Sequence, residues 1–256
     1  MKEERYFYVP NAPTLTELPQ DEAVHASRVL RLQEGDTIYL MDGKGTFYKA
    51  EVTMVSSKHC AYNIIETIPQ QHSWKGHLHI AMAPTKMMER TEWMAEKATE
   101  IGVNEFSFLE CQFSERRNMR TDRIDKIVVA ATKQSRKAWK PVVNDLQTFR
   151  SFIEQPREGL KFICHCYDEI ERTDLYNYLN VNGNVNELRE APEHQLERKN
   201  DNENITVLIG PEGDFSMDEV KMAMEHGYIS TSLGSQRLRT ETAALSAVMI
   251  MQLCSR

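Results

Sequence analysis

The sequence predicts an α/β protein of two domains, a small β-rich domain followed by a larger one with a largely parallel sheet. Three observations predict it. The first 68 residues hold short β-favouring runs separated by turn signals. From residue 77 onward, apolar runs alternate with amphipathic stretches. Between them, residues 69–76 are polar and carry breakers, so the boundary is expected there. A chain of 256 residues suits one large domain or two smaller ones. The expected domains are 1–70 and 77–256.

In the first domain, strands are expected at 6–9, 37–41, 47–55 and 60–65, with turns at Gly35-Asp36 and Asp42-Gly43-Lys44-Gly45. A short helix over 21–32 interrupts them. In the second domain, 77–83 reads as a strand and 86–101 as a helix closed by Gly102. Residues 106–110 form the next strand. Residues 121–139 read as an amphipathic helix, with Ile124, Ile127, Val128, Ala131 and Ser135 on one side. Arg123, Lys126, Lys133 and Lys137 gather roughly opposite. The continuous apolar run 205–209 fits a strand covered on both faces. Ser216-Met217-Asp218-Glu219 is a capping box for a helix that Gly227 closes. Residues 228–233 form a last strand before a C-terminal helix over 243–254. Residues 171–204 break this rhythm and read as an acidic surface insertion, partly mobile.

Composition excludes several classes. The chain is 41% hydrophobic and 27% charged, enough apolar material for a real core. No apolar run approaches the roughly 18–20 residues that cross a bilayer, and the charged N-terminus leads into no signal-peptide region. A cytoplasmic, non-membrane protein is expected. The five cysteines are odd in number and scattered, as in a reduced chain. Residues 162–167, which include Cys164-His165-Cys166, read as a buried strand, and no metal is expected.

The net charge of −7 is unevenly spread. Residues 168–204 hold ten acids against four bases, whereas 116–140 hold nine bases against two acids. The basic segment, not the global charge, bears on a nucleic-acid partner.

Two loops carry candidate chemistry. Ile209-Gly210-Pro211-Glu212-Gly213-Asp214-Phe215-Ser216 joins a buried strand to a capped helix. In open α/β sheets such strand ends bind ligands, and Gly210 and Gly213 permit close backbone approach or positive φ. The loop is neither a P-loop nor a dinucleotide fingerprint; a plain tight turn is the other reading. Leu233-Gly234-Ser235-Gln236-Arg237-Leu238-Arg239-Thr240-Glu241-Thr242 has the same design, with Thr240 or Thr242 as N-cap of the last helix. That helix is apolar nearly all round and must be covered on every side, by a partner subunit or by its own chain.

Those two loops, in that order, resemble the cofactor-binding signatures of the small-subunit ribosomal RNA methyltransferase E family, in the SPOUT class. The resemblance continues through residues 86–93 (Lys86-Met87-Met88-Glu89-Arg90-Thr91-Glu92-Trp93), 97–103 and 130–136 with Pro141, and residues 25–31, Gly35-Asp36 and 42–45 of the first domain. It spans nearly the whole chain outside 168–204. Asp214 departs from it, standing where the family more often has glycine, and the acidic insertion is longer than usual. The resemblance implies a PUA-like β-barrel, a trefoil-knotted α/β domain, a homodimer and S-adenosyl-L-methionine as methyl donor. The implied reaction is methylation of uridine N3 in small-subunit ribosomal RNA, within an assembled particle. Another RNA target, or a non-catalytic ribosome-assembly factor, are the other readings; intact loop glycines favour a working cofactor pocket.

On that resemblance, Ile209, Gly210, Glu212, Gly213, Leu233, Gly234, Leu238 and Thr242 are expected to line the cofactor pocket. His165 is either a lid or a satisfied core histidine. Glu241 is expected to act as base on the acidic N3 proton, and Arg239 to stabilise charge developing on O2 or O4. A structural ion pair at the dimer seam is the other role open to these two. RNA phosphates are expected to meet Arg5, Arg28, Arg31, Arg116, Arg123, Lys126, Lys133, Arg136 and Lys137. Alternatively, the helix face is merely solvated. Packing of two C-terminal helices across a twofold axis, through Val248 and Met251, is expected to join the subunits and make activity depend on dimerisation.

Overall fold

The computed structural model describes residues 4–180 and 204–256. The chain divides into two compact units: residues up to His72 with Val128–Lys140, and Ser73–Ile127 with Pro141–Arg256. Most of the expected acidic insertion lies outside the described residues.

In the smaller unit, β1 (Tyr6–Tyr8) pairs in parallel with β2 (Thr37–Met41), and α1 (Gln20–Arg28) lies between them in the chain. Two antiparallel pairings add β3 (Thr46–Val55) and β4 (Cys60–Pro69), giving the order β1-β2-β3-β4. Beyond β4 the sheet continues onto the segment after β1, where Glu17 bridges Ala61 and the Leu18 N–H reaches the Cys60 carbonyl at 2.9 Å. The β2–β3 turn is held by Asp42, whose Oδ1 accepts the backbone N–H groups of Lys44 (2.7 Å) and Thr46 (3.0 Å). Phe7, Ile38, Leu40, Val52 and Tyr62 of the strands and Ala23 and Ala26 of α1 make the core. Helix α1 stops before the expected residue 32 because Arg31 takes a left-handed φ of 50° while Leu32 bonds back to Ala26.

The larger unit opens with β5 (Leu78–Met82), α2 (Met88–Ile101) and β6 (Glu105–Glu110). Gly102 caps α2 at φ 123°, where a Cβ would sit 2.6 Å from the Gln252 amide. Helix α3 (Thr121–Gln134) starts where expected but ends five residues short of 139. Arg136 adopts φ 51° and Lys137 bonds back to Thr132, which turns the chain out of the helix. Beyond Ile127 the segment belongs to the smaller unit. There Lys133 pairs with Glu22 (2.6 Å), and the Trp139 ring stacks on His72 and lies against Gly45.

Next come β7 (Val142–Thr148), α4 (Phe149–Ile153), β8 (Leu160–Cys164), β9 (Thr173–Asp174), α5 (Leu175–Asn180), β10 (Ile205–Ile209), α6 (Met217–Glu225), β11 (Ile229–Ser232) and α7 (Thr240–Cys254). Seven strands form one all-parallel sheet in the order β7-β6-β5-β10-β8-β11-β9. Strand β10 is buried at all five positions, as its unbroken apolar run demands. On one face Ala81, Ile163 and Leu208 pack with Phe152 of α4 and Val220 of α6. On the other, α7 packs on α2, α5, β5 and β10.

Three expectations change here. Residues 173–180 are not surface insertion: Leu175, Tyr178 and Leu179 are buried, and Tyr178 meets Phe162 edge-on. Strand β8 ends at Cys164, short of 167, because His165 Nδ1 accepts the Tyr167 N–H (3.2 Å) and so replaces ladder pairing with a local turn. Helix α7 is not covered all round by its own chain, the second of the two readings, and it is not capped by a threonine. It begins at Thr240 with Arg239 at the N-cap, and it exposes Met249 and Leu253 while burying Ala244, Ala247, Val248 and Met251. Among the described residues no helix is long and apolar enough to cross a membrane.

Candidate active site

The carboxyl ends of β8, β10 and β11 release three loops side by side, next to the point where strand order reverses between β5 and β10. Parallel sheets bind ligands in such crevices. A cavity of about 1120 Å³ lies there, walled by the three loops, the first turn of α7 and Arg90 of α2. It is slightly larger than the roughly 300–1,000 Å³ typical of small-molecule pockets. All its lining residues belong to the larger unit.

The loop after β10 folds tightly back on itself. A Cβ on Gly210 would lie 2.9 Å from the backbone nitrogen of Phe215, so only glycine fits. Gly213 has no positive φ either; its α-carbon faces the Phe113 side chain at a Cβ distance of 3.2 Å. The left-handed position is Asp214, at φ 67°. Aspartate tolerates that region because its carboxylate bonds locally: Oδ1 accepts from Phe215 N (2.7 Å), and Oδ2 from Cys166 N of the neighbouring loop (2.8 Å). Glu212 accepts the Lys86 N–H at 2.8 Å. The capping box closes the loop, with Ser216 and Glu219 bonding each other's backbone N–H.

His165 is 4% exposed. Its Nδ1 accepts from Tyr167 N, which leaves the proton on Nε2 to be donated to Ser230 Oγ (2.9 Å). Ser230 donates onward to the Glu171 carbonyl. Burial lowers the His165 pKa, and both ring nitrogens are occupied. It is therefore a fixed neutral wall of the cavity, the satisfied histidine of the two readings.

The loop after β11 supplies Leu233, Gly234, Leu238 and Arg239 to the wall; Gly234 needs its φ of 103°. In the first turn of α7, Thr240 and Glu241 are buried against the cavity, whereas Thr242 points to solvent and does not line it. Helical geometry explains the swap, since neighbouring positions point about 100° apart. Ile209, Gly210, Glu212 and Gly213 line the cavity together with Glu241. Glu241 has one oxygen, Oε2, buried without a hydrogen-bond partner among the described residues. Its Oε1 lies 3.8 Å from Arg90 Nε.

The carboxylates on the wall (Asp168, Glu171, Asp174, Glu212, Asp214, Glu241) outnumber its guanidinium groups (Arg90, Arg172, Arg237, Arg239). Such a lining favours a ligand with positive charge. Sequence reasoning missed Arg90, whose approach to Glu241 depends on the packing of α2 on α7. It also missed the clasp from Asp214, for which the aspartate in a glycine-rich turn was the available signal.

The basic residues are dispersed in their engagements. Arg116 donates to the carbonyls of Thr85 and Lys86, Arg123 pairs with Glu92, and Lys133 pairs with Glu22. Arg136 pairs with Glu4 and lies over the Tyr6 ring, Arg5 donates to the Leu30 carbonyl, and Lys137 is also engaged. Arg28, Arg31 and Lys126 are exposed. Counting charges overstated the free basicity of 116–140, because acids distant in sequence fold onto it.

Residues 72–252 match the family described as RNA methyltransferase domain, and residues 18–64 match the RNA methyltransferase PUA domain. A relative named ribosomal RNA small subunit methyltransferase E, from Rickettsia conorii, is 26% identical over 93% of this chain and 89% of its own. The crystal structure of a probable rRNA-methyltransferase from Porphyromonas gingivalis superposes with a TM-score of 0.82 at 36% identity, covering 98% of this chain and 99% of that one. A ribosomal RNA small subunit methyltransferase E from Neisseria gonorrhoeae, bound to S-adenosyl methionine, superposes with a TM-score of 0.78 at 24% identity over 98% of each chain.

Proposed function

The chain belongs to the RNA methyltransferase domain family, among the ribosomal RNA small subunit methyltransferase E proteins, and from that premise we propose that it methylates uridine N3 in small-subunit ribosomal RNA with S-adenosyl-L-methionine. The observation that carries this reading is the cavity at the strand ends, which has room for a cofactor and a nucleobase and a buried, under-bonded Glu241 in its wall.

The cavity suits this cofactor. Its excess of carboxylates favours a sulfonium, and the fold at Gly210 brings bare backbone to the pocket where an adenine edge can be read. Ile209, Gly210, Gly213, Leu233, Gly234 and Leu238 would hold the nucleoside, with His165 as a rigid neutral wall. When bound, the cofactor supplies an electrophilic methyl group. The chain's own residues supply the rest. Glu241, unpaired at Oε2, accepts the imide proton of the base as N3 becomes the nucleophile. Arg239, exposed at the mouth of the same cavity, stabilises negative charge on one uracil carbonyl.

We further propose the assembly and topology implied by the resemblance: a trefoil knot and a homodimer. The non-sequential order β5-β10-β8-β11 supports the first. The uncovered stripe of α7, with Met249 at 42% and Leu253 at 50% exposure, supports the second. That stripe, and not Val248 and Met251, is then the seam. Arg28, Arg31 and Lys126 are the side chains most available to RNA phosphates.

A calorimetric titration with S-adenosyl-L-methionine tests the pocket. Saturable binding at one site per chain, weakened when Gly210 is replaced, is expected. No binding would favour an RNA-binding assembly factor without catalysis.

A further inference from the structure

We infer that Arg90 and Glu241 act as one reader of the imide edge of the target base, with Glu241 facing N3–H and Arg90 facing the carbonyl beside it. The inference rests on the proposed uridine-N3 reaction and adds to it a specificity-determining residue.

Glu241 stands in the first turn of α7 and Arg90 in the first turn of α2, and the packing of those helices brings both side chains to one wall of the cavity. Among the described residues, each has unused capacity. Glu241 Oε2 is buried with no hydrogen-bond partner among the described residues, an arrangement native interiors rarely leave unanswered. The Arg90 guanidinium lies 3.8 Å from Glu241 Oε1, close enough to attract and too far to hydrogen-bond. The last torsion of a glutamate is soft and roughly two-fold, so either oxygen can turn toward a ligand. Once that torsion turns a Glu241 oxygen toward the cavity, the wall offers an acceptor and, next to it, a forked donor.

Uracil presents the complement. N3–H donates, and the carbonyls at C2 and C4 on either side accept. Cytosine inverts two of these groups, setting a lone pair at N3 and an amino donor at C4. The same pair would then meet a repelled lone pair and an unanswered donor, which rejects the base. During methylation N3 passes its proton to a Glu241 oxygen and would take the methyl group as the donor's carbon–sulfur bond breaks to leave a neutral thioether. The sulfonium's positive charge and the carboxylate's negative charge are both discharged. Arg90 holds the carboxylate toward the base and stabilises the negative charge that gathers on the adjacent carbonyl oxygen. Arg239 remains available for the other carbonyl.

The test uses full-length Arg90→Met, Arg90→Lys and Glu241→Gln, with small ribosomal subunits from a strain lacking this enzyme as substrate. Cofactor affinity is read by calorimetry and folding by thermal unfolding. Arg90→Met is expected to bind cofactor within about threefold of the unmodified protein and to lose about a hundredfold in kcat, the scale of one deleted oxyanion donor. Arg90→Lys should be intermediate. Ethylguanidinium in solution should restore at least part of the turnover of Arg90→Met and none of that of Glu241→Gln. Near-normal turnover in Arg90→Met with an inactive Glu241→Gln overturns the pair and leaves Glu241 as base. Near-normal turnover in Glu241→Gln overturns the base assignment itself. Loss of cofactor affinity in step with turnover, or loss of turnover that neither lysine nor ethylguanidinium relieves, assigns Arg90 to cofactor binding or to folding and overturns the pair.

Discussion

Asp214 Oδ2 accepts the backbone N–H of Cys166 at 2.8 Å, tying the loop after β10 to the loop after β8 across the floor of the cavity. Because Asp214 also sits at φ 67°, its two roles can be separated by substitution. Asp214→Asn keeps an acceptor and should bind cofactor nearly normally. Asp214→Gly suits the backbone but loses the clasp, a hydrogen bond to a charged group worth about 1.5–3 kcal/mol, so about tenfold weaker binding is expected. Asp214→Ala loses the clasp and adds about 1–2 kcal/mol of left-handed strain. Calorimetric affinities in the order Asn, Gly, Ala would bear this out; equal affinities in all three would remove the clasp from the account.

Gly210 and Gly234 should respond differently to alanine. At Gly210 the new Cβ meets the Phe215 backbone nitrogen at 2.9 Å, so the loop must shift and cofactor binding should fall by tenfold or more, about 1.4 kcal/mol. At Gly234 nothing lies within 4 Å, and only the φ of 103° is strained. Gly234→Ala should lower thermal stability by about 1 kcal/mol and spare most of the affinity. Titration and melting of both variants check this.

Charged substitutions on α7 should sort by face. Val248 and Met251 are fully buried in the chain itself, so Val248→Asp or Met251→Asp should prevent folding, at a cost of about 4 kcal/mol or more. Met249→Lys with Leu253→Lys, on the exposed stripe, should fold normally and sediment as a monomer, whereas the unmodified protein should sediment as a dimer if the proposed seam holds. An unmodified protein that is monomeric at micromolar concentration would refute the proposed seam.

At the other end of the sheet, His79 is buried between Ser107 and Phe152. Burial lowers its pKa to about 4. Burial alone would raise the neighbouring Glu105 carboxyl, but the bond to His77, the charge of His79 and the bond from Asn144 together bring it down to about 2. Both groups bind protons more readily when unfolded, so stability rises with pH. The His79 contribution is complete above about 6.5 and lost as pH falls toward 4, on the order of 3 kcal/mol. Urea midpoints should drop between pH 7 and 4.5, and His79→Gln should flatten that drop. An unchanged slope would place the acid sensitivity elsewhere.

Where sequence and structure agree, the pattern is local. The all-apolar run of β10, the capping box at Ser216 and the Gly102 cap each follow from neighbours along the chain. Where they differ, the cause is distant. Helix α3 ends early at a left-handed Arg136, and Lys133 and Arg136 are claimed by Glu22 and Glu4 more than a hundred residues away. The polar edge strand β7 has no hydrophobic period to announce it. Within the site, ten of the eleven expected cofactor and catalytic residues line the cavity, Thr242 being the exception. Arg90 escaped notice because only the packing of α2 against α7 gives it a role.

The most direct test of the account is nucleoside mass spectrometry of small-subunit ribosomal RNA. Subunits from a strain lacking the enzyme would be incubated with purified protein and S-adenosyl-L-methionine. One 3-methyluridine gained per subunit is expected, and none with Glu241→Gln. A methyl group on any other base or ring position, or none transferred by a protein that binds the cofactor, would contradict it.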